Sequence, residues 1–206
     1  MKRQGMDKGG LASAIGEAIQ VGEFRAGEWL RQIDLEQKFG ATRFDVRAAL
    51  DELAVRKTIQ HVPNRGYRVA VADAQTIAGV RAVRLMLEPA AAAAIVARTD
   101  DAALSQLRDL ADRFSAAVRS GTHADQSRTN RDFHRRLYAL AGNAVLEETI
   151  WSLRERSRGS TLTVWRSHEA MERSDREHRE MLDALAVRAP DRLADIIARH
   201  IDGDRK

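Results

Sequence analysis

Apolar residues recur at helical spacing in two segments near the start of the chain. In the first segment the apolar positions form one stripe, made of Leu11, Ile15, Ala18 and Ile19. The second segment is built around Leu35 and Phe39 and stops at Gly40, because glycine readily adopts the left-handed conformation at a helix end. The pattern predicts a packing helix, then a shorter helix followed by a tight turn.

A third amphipathic segment follows this turn at once. Its buried stripe consists of Val46, Leu50 and Leu53. Thr42 is placed to cap the first turn with its side-chain oxygen, and Asp45, three positions later, supports the same turn. Two helices joined by a short turn that contains glycine suggest a helix-turn-helix.

Between residues 58 and 71 the spacing changes from helical to alternating. Residues 58–62 and 67–71 flank the turn-forming run Pro63-Asn64-Arg65-Gly66, and apolar positions alternate with polar or small ones after it. This pattern predicts a β-hairpin. Directly after a helix-turn-helix such a hairpin is typical of a wing, and an ordinary surface hairpin is the alternative.

Three arginines in this region are placed to contact nucleic acid. Arg43 and Arg47 lie one turn apart near the start of the third helix, away from its buried stripe. An arginine there can bind guanine in the major groove or grip a phosphate, although two solvated arginines are the alternative interpretation. Arg65, at the hairpin tip, is placed to enter a minor groove or contact a phosphate.

From Asp73 onward every amphipathic segment has helical spacing. We expect helices at residues 74–98, 100–119, 124–141, 143–165, 168–188 and 190–202, with Pro89 as the position where the first could break. The sequence therefore predicts a mainly α protein with two domains: a winged helix-turn-helix at residues 1–72 and an all-helical domain at residues 73–206. Charge changes at the same boundary, because residues 1–72 carry 12 Lys and Arg against 9 Asp and Glu, and the remainder carries 22 against 21.

Three of the six histidines occupy inward positions of their predicted helices: His134, His178 and His200. One such histidine would be interpreted as an ordinary core residue. Burying several unpaired imidazoles costs roughly 1–3 kcal/mol each, so we expect the three rings to converge on one divalent metal ion. Asn130 lies one turn before His134 and can offer its side-chain oxygen to the same ion, whereas Asp132 is expected to face solvent.

The composition excludes several other chemistries. Without cysteine there is no disulfide, no thiol nucleophile and no thiolate metal site. No run approaches the roughly 18 apolar residues of a membrane span, and the first residues lack the apolar core of a signal peptide, so we expect a cytoplasmic protein. Neither a nucleophile elbow nor a phosphate-binding glycine loop is present, and no Asp or Glu beside the histidines is placed as a general base. A metal-dependent hydrolase is therefore only a remote alternative.

The segment Thr42-Arg43-Phe44-Asp45-Val46-Arg47-Ala48-Ala49-Leu50, with Pro63-Asn64-Arg65-Gly66-Tyr67, resembles the GntR family of bacterial regulators. The usual forms in that family are S-R-T-P-V-R-E-A-L and P-N-R-G. The resemblance implies recognition-helix contacts from Arg43 and Arg47 and wing contacts from Arg65 and Gly66. Phe44 stands where the family has a DNA-contacting Thr, and we include it among the DNA-binding residues.

The helical part resembles the FCD ligand-binding domain of the FadR/VanR-like branch of this family. The matching pieces are Asn130-Arg131-Asp132-Phe133-His134, Glu177-His178 and Arg199-His200-Ile201. The resemblance implies that an Asp and three His hold a divalent ion, zinc or nickel, which a carboxylate effector also contacts. Here Asn130 stands at the Asp position, so the ion should bind more weakly. Arg84 matches an arginine of the effector pocket, and a salt bridge to a Glu is its alternative.

These features predict a regulator rather than an enzyme. We expect a homodimer that binds palindromic double-stranded operator DNA and acts as a repressor released by a small organic acid. A regulator for which the metal ion itself is the signal is the alternative. Trp151 and Trp165 are interpreted as core or dimer-contact residues rather than ligand platforms.

Overall fold

The computed structural model describes residues 8–20, 22–71, 73–158 and 167–203. Contacts between Cα atoms divide this chain into two compact units, one ending at Asp73 and one beginning at Ala74. The mainly α fold predicted from the sequence is confirmed, with strands confined to the first unit among the described residues.

The first unit contains the three predicted helices: α1 (Lys8–Gln20), α2 (Gln32–Phe39) and α3 (Arg43–Val55). Gly40 ends α2 in the left-handed conformation, with φ 63°. At the start of α3 the Thr42 hydroxyl oxygen accepts a hydrogen bond from the backbone N–H of Asp45 at 3.2 Å and donates to the Asp45 carboxylate at 2.7 Å. The predicted turn and the predicted cap are both confirmed.

The sheet has one strand more than the hairpin predicted from the sequence. The strands are β1 (Trp29–Leu30), β2 (Ile59–Val62) and β3 (Gly66–Val69), arranged in the antiparallel order β1-β3-β2. Trp29 pairs with Arg68 across β1 and β3, and Ile59 pairs with Val69 across β2 and β3. A strand of two residues shows no alternation in a sequence, so the segment before α2 reads as a loop.

The apolar stripes of the three helices meet in one core. It is completed by residues from all three strands, with these residues buried: Leu11, Ala12, Ile15, Ile19, Leu30, Leu35, Val46, Ala49, Leu50, Leu53, Ile59, Tyr67 and Val69. The Tyr67 hydroxyl donates a hydrogen bond to the Asp51 carboxylate at 2.5 Å, which ties β3 to α3. The helix-turn-helix and the hairpin therefore form a single packed unit.

The second unit is entirely helical where the structure describes it. Its helices are α4 (Ala74–Leu87), α5 (Ala92–Arg98), α6 (Asp101–Ser120), α7 (His123–Ala139), α8 (Ala144–Arg158), α9 (His168–Ala186) and α10 (Pro190–Gly203). A short 3₁₀ turn at Pro89–Ala91 separates α4 from α5, so the break expected at Pro89 is confirmed. Residues 159–165 of the helix expected at 143–165 lie outside the described residues, and so does Trp165.

Packing within this unit brings three distant segments of the chain together. Helix α6 packs against α7 and α9, and α10 packs against α9, α5 and α4. The shared core is apolar, with Leu107, Phe133, Leu137, Leu193 and Ile197 among its fully buried members. In the part of the chain that is described, no helix has the length and apolar character needed to cross a membrane.

Candidate metal centre and DNA-binding surface

The three histidines predicted to face inward meet at one point in the second unit. His134 lies on α7, His178 on α9 and His200 on α10, and all three are buried. The Nε2 atom of His134 is 3.2 Å from Nε2 of His178 and 3.2 Å from Nε2 of His200. One nitrogen from each ring lies within 4.8 Å of the others. The structure therefore brings together the three imidazoles that sequence spacing placed on separate helices.

Asn130 lies one turn before His134 on the same helix and is also buried. Its side-chain oxygen has no hydrogen-bond partner among the described residues. Leaving a buried polar atom unpaired costs about 1–3 kcal/mol, so such an atom calls for an explanation. A metal ion bound to this oxygen, or a ligand that donates a hydrogen bond to it, would supply that explanation.

A buried carboxylate holds the third histidine in one orientation. Glu177, on α9, places Oε2 2.6 Å from Nδ1 of His200. An ionised carboxylate can only accept, so the proton of this contact is on Nδ1 and the lone pair of a neutral His200 is on Nε2. That lone pair faces the other two histidines. The sequence did not predict this contact, in which Glu177 on α9 reaches His200 on α10.

His178 is held neutral by its surroundings. Burial lowers its pKa well below the usual value of 6.5, and charge repulsion from His200 whenever that ring is protonated, and from Arg154 and Arg179, lowers it further. The ring stacks on Phe133, with centroids 4.1 Å apart, and contacts Phe114 on its other side. A neutral ring keeps a nitrogen lone pair available, which is the form that binds metals.

The spacing of the nitrogens fits a shared divalent ion. Two nitrogens bound to one zinc ion at about 2.0–2.1 Å in a tetrahedral arrangement lie about 3.3–3.4 Å apart, close to the distances seen here. Hydrogen bonding alone explains the cluster poorly, because one imidazole nitrogen has either one proton or one lone pair. His134 Nε2 has two nitrogen neighbours at equal distance. The donor set of three imidazoles and one amide oxygen therefore suits a metal ion.

A buried ion cluster lies in the same helical unit. Glu88 is fully buried and binds Arg84 Nε through Oε1 at 2.6 Å and Arg154 Nη1 through Oε2 at 2.7 Å. The Tyr138 hydroxyl also donates to Oε2. Burial alone would raise the pKa of Glu88, but Arg154, Arg84 and these hydrogen bonds lower it to about 2. Two buried guanidinium groups thus share the Glu88 carboxylate.

Arg84 therefore forms a salt bridge with a residue four positions later in the chain. Its side chain is 6% exposed, and its partner Glu88 follows directly after α4. This contact is the salt bridge to a Glu that the sequence analysis gave as the alternative role of Arg84. The partner lies four residues later in the chain rather than on another helix. Tyr138, which shares Glu88, also stacks on His134 with centroids 6.1 Å apart. The ion cluster and the histidines are thus joined through one aromatic ring.

A cleft opens beside His134 between α7 and α8. Its volume is about 270 Å³, and it is lined by His134, Arg135, Tyr138, Ala144, Glu147, Glu148, Ile150 and Trp151. The guanidinium of Arg135 lies 4.5 Å from the centre of the Trp151 ring. Trp151, interpreted from the sequence as a core or dimer-contact residue, lines this cleft and is half-buried.

In the first unit the predicted DNA-contacting residues lie on exposed positions. Arg43, Phe44 and Arg47 are exposed on the first turns of α3, and Phe44 is 70% exposed. Arg65 is exposed at the tip between β2 and β3, and Gly66 follows it with φ 97°, a conformation that glycine adopts without strain. The helix N-terminus and the wing tip therefore both present arginine to solvent.

Two family descriptions match this chain. "Bacterial regulatory proteins, gntR family" matches residues 8–69, and "FCD domain" matches residues 80–203. The chain belongs to the gntR family of bacterial regulatory proteins. The regulator is 28% identical over 180 residues to the Nta operon transcriptional regulator of Aminobacter aminovorans, which covers 86% of this chain and 83% of that protein. It is a transcription regulator with an FCD ligand-binding domain and not an enzyme.

Solved structures share the fold of the regulator. E. coli McbR/YncC has a TM-score of 0.84 at 18% identity, covering 95% of this chain and 93% of that one. A putative transcriptional regulator GntR from Rhodococcus sp. RHA1 has a TM-score of 0.78 at 23% identity, with the same coverage. At these identities the likeness shows the fold alone, a winged helix-turn-helix followed by a helical bundle.

One residue of the regulator's histidine cluster was missed from the sequence. Glu177 precedes His178 directly, and two adjacent helical positions point about 100° apart, so a contact to the His178 site was not expected from spacing. The contact is instead to His200, 23 positions later on α10. Only the packing of α9 against α10 shows it.

Proposed function

We propose that this gntR-family regulator binds a palindromic operator as a homodimer and represses transcription until a small carboxylate effector binds at or near a divalent ion in its FCD domain. The observation that carries the proposal is the convergence of His134, His178 and His200 beside Asn130. Zinc or nickel is the expected ion, because both accept imidazole ligands readily. The amide at position 130 makes this binding weaker than a carboxylate would.

A bound divalent ion would supply a positive centre for a carboxylate oxygen of the effector. The chain's own residues would do the rest: the three histidines and Asn130 hold the ion, and Glu177 keeps His200 oriented. Arg84 and Arg154 both bind Glu88, and two buried cationic side chains in one unit favour an anion there. We retain Arg84 as the arginine that acts on the effector.

The cleft beside His134 is our candidate for the place where the effector enters. Its volume of about 270 Å³ is just below the range of roughly 300–1,000 Å³ typical of sites for drug-sized ligands. A small organic acid suits such a space. Trp151 and Tyr138 offer aromatic surface, and Arg135 offers a cation at the same opening.

DNA binding is proposed to use Arg43, Phe44, Arg47, Arg65 and Gly66, the exposed residues of α3 and of the wing tip. Arginines at the start of a recognition helix can bind guanine or phosphate, and the wing arginine can enter the minor groove. The relative from Aminobacter aminovorans is named for an operon that it regulates. We propose that this regulator likewise controls an operon and acts in the cytoplasm, where the operator DNA is.

The homodimer is proposed to form through α4. The exposed positions of this helix between 78 and 86 carry no charge: Ala78, Gly79, Ala82, Val83 and Met86. Met86 is 73% exposed and Val83 41%. A charge-free apolar face is complementary to a second copy of itself across a two-fold axis, which is the geometry of most homodimers. Sedimentation of Met86→Asp should therefore show more monomer than wild type at the same concentration.

Elemental analysis of the purified protein tests the metal proposal. We expect near-stoichiometric zinc or nickel in wild type and its loss in His134→Ala, which removes the central nitrogen of the cluster. His123→Ala is the matched control, because His123 is exposed at the start of the same helix. Metal-free wild type with the same thermal stability as His134→Ala would contradict the proposal.

DNA affinity then separates the carboxylate sensor from the metal sensor. We expect operator affinity, measured by fluorescence anisotropy, to fall when a carboxylate effector is added to the metal-loaded protein and to change little on chelation alone. If chelation by itself abolishes or restores DNA binding, the ion is the signal. The three buried histidines support this second candidate, because a site held by protein donors alone can also serve as a metal sensor.

A further inference from the structure

The proposed metal site lacks a directly coordinating acid among the residues that surround it. Its donors are three imidazoles and the neutral amide of Asn130, so a divalent ion there would keep its two positive charges. Burying uncompensated charge is costly. A negative group elsewhere in the unit is therefore needed.

The described residues include two buried carboxylates, Glu88 and Glu177. Glu88 is already shared by two arginines and a tyrosine, so its charge is compensated. Glu177 is 5% exposed and meets the imidazole of His200, with no arginine or lysine paired to it in the described structure. Its charge is thus the one available to the histidine cluster.

The contact has the geometry by which an outer carboxylate controls a metal-binding histidine. A carboxylate on Nδ1 fixes the ring orientation, places the lone pair on Nε2 and makes that nitrogen a stronger donor. His200 meets these conditions, since Nδ1 is 2.6 Å from Glu177 and Nε2 faces His134 at 3.2 Å.

We propose that Glu177 is a positioning residue that supplies, through the ring of His200, the negative charge that Asn130 does not supply directly. This inference rests on the proposed metal site. The inference links positions 130 and 177, because a carboxylate at either position would support binding of the ion. In this chain the carboxylate is at position 177. The consequence is that a carboxylate introduced at Asn130 should restore what is lost when Glu177 is neutralised.

Zinc affinity of the full-length protein, measured by competition with a chromophoric chelator, tests the inference. Glu177→Gln keeps a hydrogen-bond acceptor for Nδ1 and removes the charge, and we expect about 10–100-fold weaker zinc binding, the usual cost of losing an outer partner. Adding Asn130→Asp to this variant should recover at least about tenfold of the loss and should strengthen zinc binding less when Glu177 is kept, whereas a merely structural role of Glu177 predicts the same gain in both backgrounds. Glu180→Gln is the matched control, because it removes one acid from the exposed side of the same helix.

Three results would overturn the inference. Glu177→Gln could bind zinc as tightly as wild type, or Asn130→Asp could fail to rescue a folded Glu177→Gln protein. If Glu177→Gln does not fold, imidazole nitrogen NMR of zinc-loaded wild type decides the matter, because we expect a protonated Nδ1 and a metal-bound Nε2 on His200, and the reverse pattern excludes the role. Wild type that takes up no zinc is a separate outcome: it removes the proposed site and this inference with it.

Discussion

Neutralising Glu88 should destabilise the FCD domain by several kcal/mol. The carboxylate is completely buried between Arg84 and Arg154, and Glu88→Gln leaves both guanidinium groups without their counter-charge. Removing one partner of a buried ion pair typically costs about 3–5 kcal/mol. An independent figure comes from the pKa, which is about 2 in the folded chain against the model-compound value of 4.5. At 1.36 kcal/mol per pH unit this difference corresponds to about 3 kcal/mol.

The same pKa gives the pH dependence of this contribution. Because the folded pKa lies below the unfolded one, the unfolded chain binds more protons, and the stabilisation is complete above about pH 4.5 and is lost as the pH falls through about 2. Between pH 7 and pH 3.5 wild type should lose about 1 kcal/mol through this group, whereas Glu88→Gln loses none through it. The gap between the two proteins should narrow by that amount.

Urea unfolding followed by circular dichroism at both pH values measures the gap. Glu148→Gln, at an exposed position of α8, is the control and should stay within about 0.5 kcal/mol of wild type. A Glu88→Gln protein that is as stable as wild type at pH 7, or a gap that does not change with pH, would refute the reasoning. Either result would mean that the arginines find other anions or water when Glu88 is neutral.

Four further expectations concern the DNA-binding unit and the dimer. Arg65→Ala should weaken binding to all DNA sequences alike and reduce the salt dependence of anisotropy titrations, because a wing arginine on phosphate carries no sequence information. Phe44→Ser should abolish any preference for thymine over uracil at one operator position, since an exposed phenyl ring can contact the thymine methyl group and serine has no methyl group to replace it. Tyr67→Phe removes the hydrogen bond to Asp51 and should lower the stability of the first unit by about 1–2 kcal/mol in thermal unfolding. Met86→Asp should shift the sedimentation equilibrium toward monomer by at least tenfold in Kd, and an unchanged dimer would place the interface elsewhere.

Most of the fold could be predicted from interactions between residues that are close in the sequence. Gly40, Thr42 and Asp45 set the turn and the cap through contacts within a few residues, so their roles could be predicted from the sequence. The strand Trp29–Leu30 could not be predicted, because its two residues become a strand only by pairing with Arg68 and Tyr67, far along the chain. The predicted helices of the second unit occur in the predicted order, with the first one divided near Pro89, and the ends that the structure describes differ from the predicted ones by at most two residues.

The candidate site could be predicted only as far as helical periodicity shows which side chains face the inside of the bundle. Spacing placed His134, His178 and His200 on inward faces, and the structure brings their nitrogens together. Periodicity gives no distance between helices, and it therefore missed the contact from Glu177 to His200 and the sharing of Glu88 by Arg84 and Arg154. Both of the missed contacts involve carboxylates, Glu177 and Glu88, whose partners lie on other helices or at helix ends.

The charges of the site lead to a final prediction about the effector. A divalent ion held by three imidazoles and an amide keeps two positive charges, and Glu177 offsets one of them through His200. One positive charge then remains, so an anionic ligand and the ion should each strengthen the binding of the other. Linkage requires the two effects to be equal in size, because both reflect one coupling free energy.

Acetate and acetamide make a matched pair of probes for this coupling, since they differ in charge and hardly in shape. We expect saturating acetate to lower the apparent Kd for zinc by at least about fivefold, the lower end of common coupling energies, and acetamide to leave it unchanged. In Glu177→Gln both positive charges of the ion would be uncompensated, so acetate should lower the apparent Kd for zinc by a larger factor than in wild type. Equal effects of acetate and acetamide would show that the site does not select an anion, and the search for an effector should then turn to neutral ligands.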